Sequence, residues 1–259
     1  MRYAICTTDP DTIADAREAG FDAVEVNVQT LIRPYDPEPV FEEALAPVLA
    51  AGLPIEAANV FLPKDLRCIG PDAVPDRIAE YAKTVCRRLA RVGASLLVFG
   101  SGGARQRPEG WPKEKADEQF VALLSRLGPI AERHGVRIAV EPLCRTSCNY
   151  INTVDEGAAL ARASGSPAVG VLADAYHWAR NGETADTILA AKGILLHVHV
   201  ATSSGRLPPG MEPCDFGPFL RALAAIGYDG RLSVEATLPP PEGRVAAFRS
   251  ALEILKSQP

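Results

Sequence analysis

Short apolar runs alternate along the chain with longer segments in which apolar residues recur at helical spacing. The short runs predict eight β-strands, at residues 2–7, 23–26, 55–61, 96–99, 136–140, 169–173, 195–200 and 231–234. The longer segments predict eight helices, at residues 10–19, 38–51, 74–92, 115–134, 154–163, 184–191, 216–226 and 243–255. The fourth helix is expected to break or end near Gly128-Pro129. Eight successive strand–helix units favour an α/β fold of the closed (β/α)8 TIM barrel type over an open doubly wound sheet.

The predicted junctions from helix to strand share one feature, a glycine at the end of the helix. Predicted helices end at glycine, a residue that tolerates the positive φ needed by the following turn, at Gly20, Gly52, Gly93, Gly135 and Gly227. The length of 259 residues matches the roughly 250 residues of one such barrel, and 47% hydrophobic residues suffice for its core. We therefore expect a single TIM barrel domain over residues 1–259.

Four of the later strands end in, or contain, a side chain that can bind a divalent metal. Glu141, Asp174 and Glu235 follow the apolar runs of strands five, six and eight, and strand seven carries His199. A buried charge is costly unless it is paired or coordinated, so packing alone does not explain these carboxylates. Because barrel strands bring their C-terminal ends together on one face, the pattern predicts a metal site at the barrel mouth.

Three of the four histidines lie on or next to strands six and seven. His197 and His199 share a face of their strand, because side chains alternate with a period of two. His199 is level with the other strand ends and is predicted to bind the metal, whereas His197 is predicted to support it by a hydrogen bond from a deeper layer. His177 comes three residues after Asp174 and is expected beside the metal.

The long loops all follow strands, at residues 62–71, 101–112, 143–152 and 203–215. Loops in these positions build the active-site face of a (β/α)8 barrel. Trp111, within a loop rich in glycine and proline, is a candidate substrate contact. Phe61 is another, with plain packing as an equal alternative. Glu25, at the end of strand two, is either a polar wall of the site or an ion-pair partner.

Composition and charge limit the classes of partner that this protein is expected to bind. A net charge of −5 and a pI near 5.5, without a basic patch, disfavour a nucleic-acid partner. The N-terminus lacks the apolar core of a signal peptide, and no run approaches the roughly 18 apolar residues of a membrane span, so we expect a cytoplasmic protein without a membrane partner. The six cysteines are expected to remain thiols, and Cys144 and Cys148 leave a fifth, soft metal ligand open.

Four motifs, in order along the chain, resemble those of a known superfamily. They are Glu141-Pro142-Leu143, Asp174-x-x-His177, His197-x-His199 followed by Ser204-Gly205-Arg206, and Ser233-Val234-Glu235. The series is similar to that of the xylose-isomerase-like TIM barrel superfamily, in its sugar (phosphate) isomerase and epimerase branch. Ketose 3-epimerases, hydroxypyruvate isomerase and inosose dehydratase are the relatives that this branch suggests.

This resemblance implies one divalent ion and a set of substrate contacts. The implied metal ligands are Glu141, Asp174, His199 and Glu235. His177 and Arg206 are the implied contacts to substrate oxygens. A turn at residues 208–212 resembles the substrate-covering turn of the family, with Glu212 as a candidate contact. The chain lacks the additional histidines with which the related apurinic-site endonucleases hold three zinc ions.

The ligand set indicates the chemistry. Three carboxylates and one imidazole suit Mn²⁺ or Mg²⁺ best, with Co²⁺ or Zn²⁺ also compatible. Four protein ligands leave two positions of an octahedron for a vicinal hydroxy-ketone, whose enediolate the metal would stabilise. We predict a metal-dependent isomerase or epimerase of a ketose or related polyol, with Glu141 and Glu235 as the acid–base pair on opposite faces of the substrate.

The same sequence features leave two other functions to consider. A lyase on the same metal site is the alternative, acting by dehydration of a keto-inositol or by β-elimination from an oxidised glycoside. An apurinic-site endonuclease-like or non-catalytic barrel is disfavoured by the acidic pI and the missing histidines. The expected partner is a small sugar or polyol, and a homo-oligomer is compatible with the resemblance because barrels of this family often pair.

Overall fold

The structure is a computed structural model that describes residues 1–257 of the chain. Its strands are β1 Arg2–Cys6, β2 Ala23–Asn27, β3 Ile55–Asn59, β4 Leu96–Phe99, β5 Arg137–Val140, β6 Val169–Asp174, β7 Leu195–Val200 and β8 Arg231–Val234. The strands are parallel and pair in chain order, until β8 closes the sheet against β1. The predicted closed (β/α)8 TIM barrel is confirmed.

Nine α-helices of the described residues surround this barrel. They are α1 Pro10–Ala19, α2 Glu38–Ala50, α3 Pro75–Val92, α4 Lys113–Glu132, α5 Val154–Ala163, α6 Ala175–Asn181, α7 Ala185–Ala190, α8 Gly217–Ala225 and α9 Arg244–Ser257. A π-helical turn, Val28–Ile32, lies between β2 and α2. Within residues 1–257, no helix has both the length and the apolar content needed to cross a membrane.

Strand β3 is shorter than the sequence predicts. It ends at Asn59 rather than at residue 61, because Val60 adopts a φ of 52° and so leaves the extended conformation. Gln29 Nε2 donates a hydrogen bond to Val60 O at 3.0 Å and holds this turn. The Val60 side chain is 41% exposed and therefore faces solvent at the barrel mouth.

The predicted break near Gly128-Pro129 is wrong, since α4 runs through both residues. Pro129 has no N–H to donate, but α4 packs against α3 and α5, and this packing maintains the helix. Gly128 allows a close approach, because a Cβ there would lie 2.1 Å from Ser166 Oγ. Helix α6, which carries His177, was not predicted as a separate element and begins directly after β6.

The barrel interior is filled below its mouth. Five strand residues form an apolar cluster separate from the large core between sheet and helices: Ala57, Leu96, Val98, Ala139 and Leu172. At the N-terminal ends of the strands, Glu56 accepts hydrogen bonds from Arg2 and from Arg231, the latter from Nε at 2.9 Å. Since packing and ion pairs close this end, a ligand can enter only at the C-terminal ends of the strands.

Backbone strain is concentrated on that same face. The non-glycine residues of the described chain with positive φ are Arg33, Val60, Ser101, Ile151 and Arg206. All five lie between a strand and the helix that follows it. Such conformations persist only where the surrounding structure enforces them, and they are common at functional sites. Their distribution indicates that the βα loops carry the function.

Gly170 offers a test of the packing between β6 and β7. A Cβ at this position would lie 2.4 Å from Ile194 O and 2.5 Å from Leu196 Cγ, so Gly170→Ala must push the strands apart. We expect the free energy of unfolding to fall by about 1–3 kcal/mol, measured by urea unfolding. In Gly103→Ala the nearest atom is Lys64 Cβ at 3.3 Å, and a much smaller loss is expected. Equal losses in the two variants would contradict this account.

Candidate metal centre

The four predicted ligands meet at the C-terminal mouth of the barrel. Glu141 follows β5, Asp174 ends β6, His199 lies near the end of β7, and Glu235 follows β8. One ligand atom from each residue lies within 4.8 Å of the others. The strand register produces this convergence, because Asp174 pairs with His199, and His199 pairs with Ser233 on its other side.

Three of the four predicted ligand residues present an atom that has no hydrogen-bond partner within the protein. Glu141 Oε1, Asp174 Oδ2 and His199 Nδ1 are buried and unpartnered. The other oxygen of Asp174 caps α6 by accepting the N–H of Tyr176 at 2.8 Å, which turns Oδ2 towards the cluster. A buried polar atom without a partner is costly, and a single cation would satisfy all three. The residues therefore fit a divalent metal.

Glu25 orients the histidine of this cluster. Its Oε1 lies 2.9 Å from His199 Nε2, and its Oε2 lies 2.7 Å from His197 Nε2. A histidine whose Nε2–H is bound by a carboxylate presents Nδ1 to a metal with increased basicity. The ion-pair interpretation of Glu25 is thus confirmed, and so is the supporting position of His197, whose Nε2 also lies 3.2 Å from Ser233 Oγ.

The cluster carries more negative charge than its protein neighbours balance. Burial, and next the charge of Glu235, raise the pKa of Glu141; burial together with both glutamates raises the pKa of Asp174 to about 7. Burial alone would raise the pKa of Glu235, but His199 and Arg206 lower it to about 2. Ionisation of Glu141 and of Asp174 is thus disfavoured relative to a free carboxyl, and a divalent cation would supply the positive charge that favours it.

Two residues of the loop between β4 and α4 position Glu141. A Cβ at Gly100 would lie 2.1 Å from Glu141 Oε2, so only glycine leaves room for this carboxylate. Arg105 is fully buried, and its guanidinium donates to the backbone oxygen of Glu141. The sequence assigned neither residue a role, because a glycine or an arginine within a loop has no recognisable period or spacing.

His177 lies beside the cluster. Its Nδ1 accepts the backbone N–H of Cys144 at 3.0 Å, so the neutral ring carries its proton on Nε2. Nε2 lies 3.7 Å from Asp174 Oδ2. Burial, and next the charge of Arg206, lower the pKa of His177 to about 3, which makes the ring a neutral hydrogen-bond donor near pH 7.

Arg206 borders the cluster on the side of β7 and β8. Its guanidinium pairs with Glu235, lies 3.8 Å from Asp174 Oδ2 and stacks on the Tyr176 ring at 4.8 Å from the centroid. Glu212 is half-buried, and its Oε1 accepts the N–H of Gly205 at 2.6 Å. In this structure Glu212 braces the loop that carries Arg206.

The two aromatic candidates lie away from the cluster. Phe61 is fully buried and packs edge-on against Phe99 at 5.2 Å, as the packing alternative describes, so it presents no surface to the mouth. Trp111 is partly buried against the edge of the core, with Lys115 Nζ 5.7 Å from its ring. It does not line the cavity that contains Glu141 and Glu235.

Cysteines contribute no ligand to this cluster in the described residues. Cys144 contacts the site through its backbone N–H, which donates to His177. Neither Cys144 nor Cys148 belongs to a group of converging ligand atoms. A second such group joins Cys6 to Glu25 and His199. The latter two are already hydrogen-bonded to each other, and burial raises the pKa of the Cys6 thiol well above its usual value, whereas a metal ligand must be a thiolate.

Two further site residues had no predicted role. Asn59 Nδ2 donates to Glu235 Oε1 at 3.3 Å. A signal for it existed, because Asn59 follows an apolar strand just as the metal ligands do. Tyr176 supports Arg206 from a different βα segment. No sequence pattern indicates that contact, because it depends on where the loops after β6 and β7 meet.

Comparison with known proteins agrees with this fold and cluster. Residues 13–258 match the model of the xylose isomerase-like TIM barrel family, and the chain belongs to that family. L-ribulose 3-epimerase from Mesorhizobium japonicum is 31% identical over 237 residues, which cover 87% of this chain and 74% of the relative. The 3-dehydro-D-guloside 4-epimerase from Escherichia coli is 25% identical over 256 residues, covering 93% and 91%.

A solved structure with the same fold extends the comparison. D-psicose 3-epimerase with D-tagatose from Clostridium cellulolyticum H10 matches with a TM-score of 0.84 at 18% identity, covering 99% of this chain and 98% of that one. The similar proteins are sugar epimerases, and the resemblance to the isomerase and epimerase branch is confirmed.

Glu25→Gln tests the role of Glu25 in metal binding. The amide has one acceptor oxygen in place of two, so it cannot accept from both His197 and His199. Loss of such a partner typically lowers metal affinity about 10–100-fold, which calorimetric titration with Mn²⁺ would measure. Glu56→Gln removes a carboxylate at the opposite end of the barrel and should leave the affinity unchanged. A similar loss in this control would show that the effect is not local.

Metal affinity should fall as the pH drops through about 7. Below that pH a proton occupies the Asp174 carboxyl, whose pKa is raised to about 7 by burial and by its two glutamate neighbours; above it the carboxylate is free. Burial alone would lower the pKa of His199, but Glu25 and Glu235 raise it well above its usual value, which adds a second proton to displace. Titration in buffers of different ionisation enthalpy counts the released protons. Constant affinity from about pH 6 to 8 would contradict this ligand set.

Proposed function

We propose that this protein is a divalent-metal-dependent isomerase or epimerase of a ketose or a related α-hydroxyketone. One observation carries the proposal: three carboxylates and an imidazole converge at the barrel mouth, and a ligand atom of each of the three buried residues, Glu141, Asp174 and His199, has no hydrogen-bond partner in the protein. The sugar epimerases among the relatives support the reaction class.

Glu141, Asp174, His199 and Glu235 would hold one ion. Three carboxylates and one imidazole favour Mn²⁺ or Mg²⁺, and Co²⁺ or Zn²⁺ also suit such a site. When bound there, the ion supplies Lewis-acid stabilisation to the carbonyl and hydroxyl oxygens of an α-hydroxyketone.

Glu141 and Glu235 would transfer the proton. They follow β5 and β8, so they approach from separate sides of the mouth, and both line one cavity of about 620 Å³. One side chain, as a carboxylate, removes the proton next to the carbonyl, and the other, as a carboxylic acid, gives its proton to the opposite face of the carbon. The C–H bond that breaks is replaced by a C–H bond on the other face, so the product is an isomer of the substrate.

His177 and Arg206 would hold the substrate oxygens. His177 offers its Nε2–H as a donor, fixed by the backbone N–H of Cys144 on the other ring nitrogen. Arg206 offers a permanent charge beside Glu235 and Asp174. Donors fixed before the reaction stabilise the negative charge that develops when the α-proton leaves.

The names of the relatives suggest the reacting unit. One acts on L-ribulose at carbon 3, and another acts on a 3-dehydro-guloside at carbon 4. In both, the inverted carbon is next to a carbonyl carbon and carries a hydroxyl group. We propose the same unit, a carbonyl beside a secondary alcohol, as the group that this cluster binds.

The lyase alternative has less support. It needs an acid that protonates the leaving group, and His177, beside the cluster, is the candidate for that role. Burial lowers the pKa of His177 to about 3, so the ring is neutral near pH 7 and is suited to donating a hydrogen bond rather than a proton. This favours epimerisation over elimination.

Exchange of the α-proton in deuterated water tests the assignment of the two glutamates. With Mn²⁺ and a ketose such as L-ribulose, the wild-type protein should replace the α-proton by deuterium and form an isomer, followed by proton NMR. Glu141→Gln and Glu235→Gln, brought to the same metal content, should each slow exchange by about 10²-fold or more, since a positioned acid or base contributes that much.

The control and the contrary outcomes are distinct. Glu42→Gln changes an exposed carboxylate of α2 and should exchange at the wild-type rate. Exchange at that rate in either metal-loaded site variant would remove the two-glutamate mechanism. A product lighter by one water would assign the lyase instead.

A further inference from the structure

The cavity around the catalytic glutamates continues beyond them. It contains Glu141 and Glu235 and extends along the loops that follow β3 and β4 to Gln29 and Pro63. The same two residues line a second hollow of about 180 Å³, whose opposite wall includes Tyr35 and Tyr81.

A third hollow, of about 400 Å³, shares Tyr35 and Tyr81 with the second. It continues over the exposed side of α3, where Arg77 and Glu80 line it. We call the second and third hollows together the lateral groove. Because each hollow shares wall residues with the next, the groove borders the catalytic cavity at Gln29 and Pro63.

The surface of the lateral groove has the chemistry of a carbohydrate subsite. Tyr35 is 65% exposed, although its ring packs against Tyr81 at 5.0 Å. Arg33 and Asp36, which pair with each other, flank it. An aromatic face suits the C–H face of a sugar ring, and charged groups beside it can bind ring hydroxyls.

The loop that presents Tyr35 is held rigidly. Arg88 of α3 is only 2% exposed, and its guanidinium donates to the backbone oxygens of Ile32 at 2.8 Å and Asp36 at 2.7 Å. The buried arginine thus fixes both ends of the segment that carries the exposed ring. An aromatic side chain on a loop fixed in this way loses little conformational entropy when a ligand binds.

We propose that the substrate of this site is a glycoside: the keto sugar ring binds at Glu141 and Glu235, and the group joined through its glycosidic oxygen stacks on Tyr35 in the lateral groove. This inference rests on the proposed epimerase function and specifies its substrate class. A glycosidic ring cannot open, so the carbonyl lies at a ring carbon beside a secondary alcohol. The proton leaves and returns at the carbon that bears this alcohol, and the glycosidic bond stays intact.

The test compares a methyl 3-keto-glucoside with a 3-keto disaccharide, which differ only in the group that would reach Tyr35. Deuterium exchange with Mn²⁺ gives kcat/KM for each, and the wild-type protein should prefer the disaccharide. In Tyr35→Ala that preference should fall about tenfold through KM, the effect of losing one stacking contact. Tyr35→Phe keeps the ring and should keep the preference.

The controls separate the possible failures. Leu49→Ala changes another exposed side chain, on α2 away from the groove, and should leave the preference unchanged.

If the wild-type protein exchanges the methyl glycoside but shows no preference, or Tyr35→Ala retains the preference, the groove is not a subsite while the epimerase function stands. If neither compound exchanges but L-ribulose does, the substrate is not a glycoside, and the inference is overturned while the epimerase function stands. If L-ribulose does not exchange either, the epimerase function fails; binding of the disaccharide, measured by saturation-transfer NMR, then decides the groove, and binding unaffected by Tyr35→Ala overturns the inference. If Tyr35→Ala instead converts a dimer to a monomer in light scattering, the groove is a subunit contact and the inference is overturned.

Discussion

The charge of three carboxylates, held together at the mouth of the barrel, is the constraint on which the rest of the site depends. Glu141 and Asp174 are buried and Glu235 is partly buried, so the three cannot all be ionised without positive charge beside them. Arg206 supplies some, and Glu25 commits one nitrogen of His199 so that the other faces the carboxylates. A divalent cation bound among these carboxylates would stabilise the arrangement, whereas without one the repulsion between neighbouring carboxylates is destabilising.

The strand ends and the βα loops of the barrel contribute different parts of the site. The metal ligands stand at or just beyond strand ends, where the closed sheet fixes their relative positions. The groups that surround them come from the βα loops, which also hold the strained residues Val60, Ser101 and Arg206. A rigid ligand set with variable surroundings explains how one family can retain a reaction while its substrates differ, from free ketoses to glycosides.

Individual elements show where sequence reasoning succeeds and where it fails. Apolar runs locate β5 to β8 and their final carboxylates, because strand burial and strand length are local properties. The sequence predicts the end of β3 two residues too late. Val60 turns the chain there and is held by a hydrogen bond from Gln29, a residue of another loop. The continuous α4 is missed because packing against α3 and α5 outweighs the cost of Pro129. Phe61 is adjacent to the site in sequence but belongs to an aromatic cluster with Phe99.

The sequence by itself determined the barrel class and the four side chains that converge at its mouth, because periodicity and polar strand ends are encoded within each strand–helix unit. Only the tertiary structure decided which of the two roles Glu25 plays, where His177 carries its proton, and that Gly100 leaves space for Glu141. Each of these depends on the distance between atoms from different units. Such distances are set by the closure and twist of the whole sheet, which no single segment of the chain specifies.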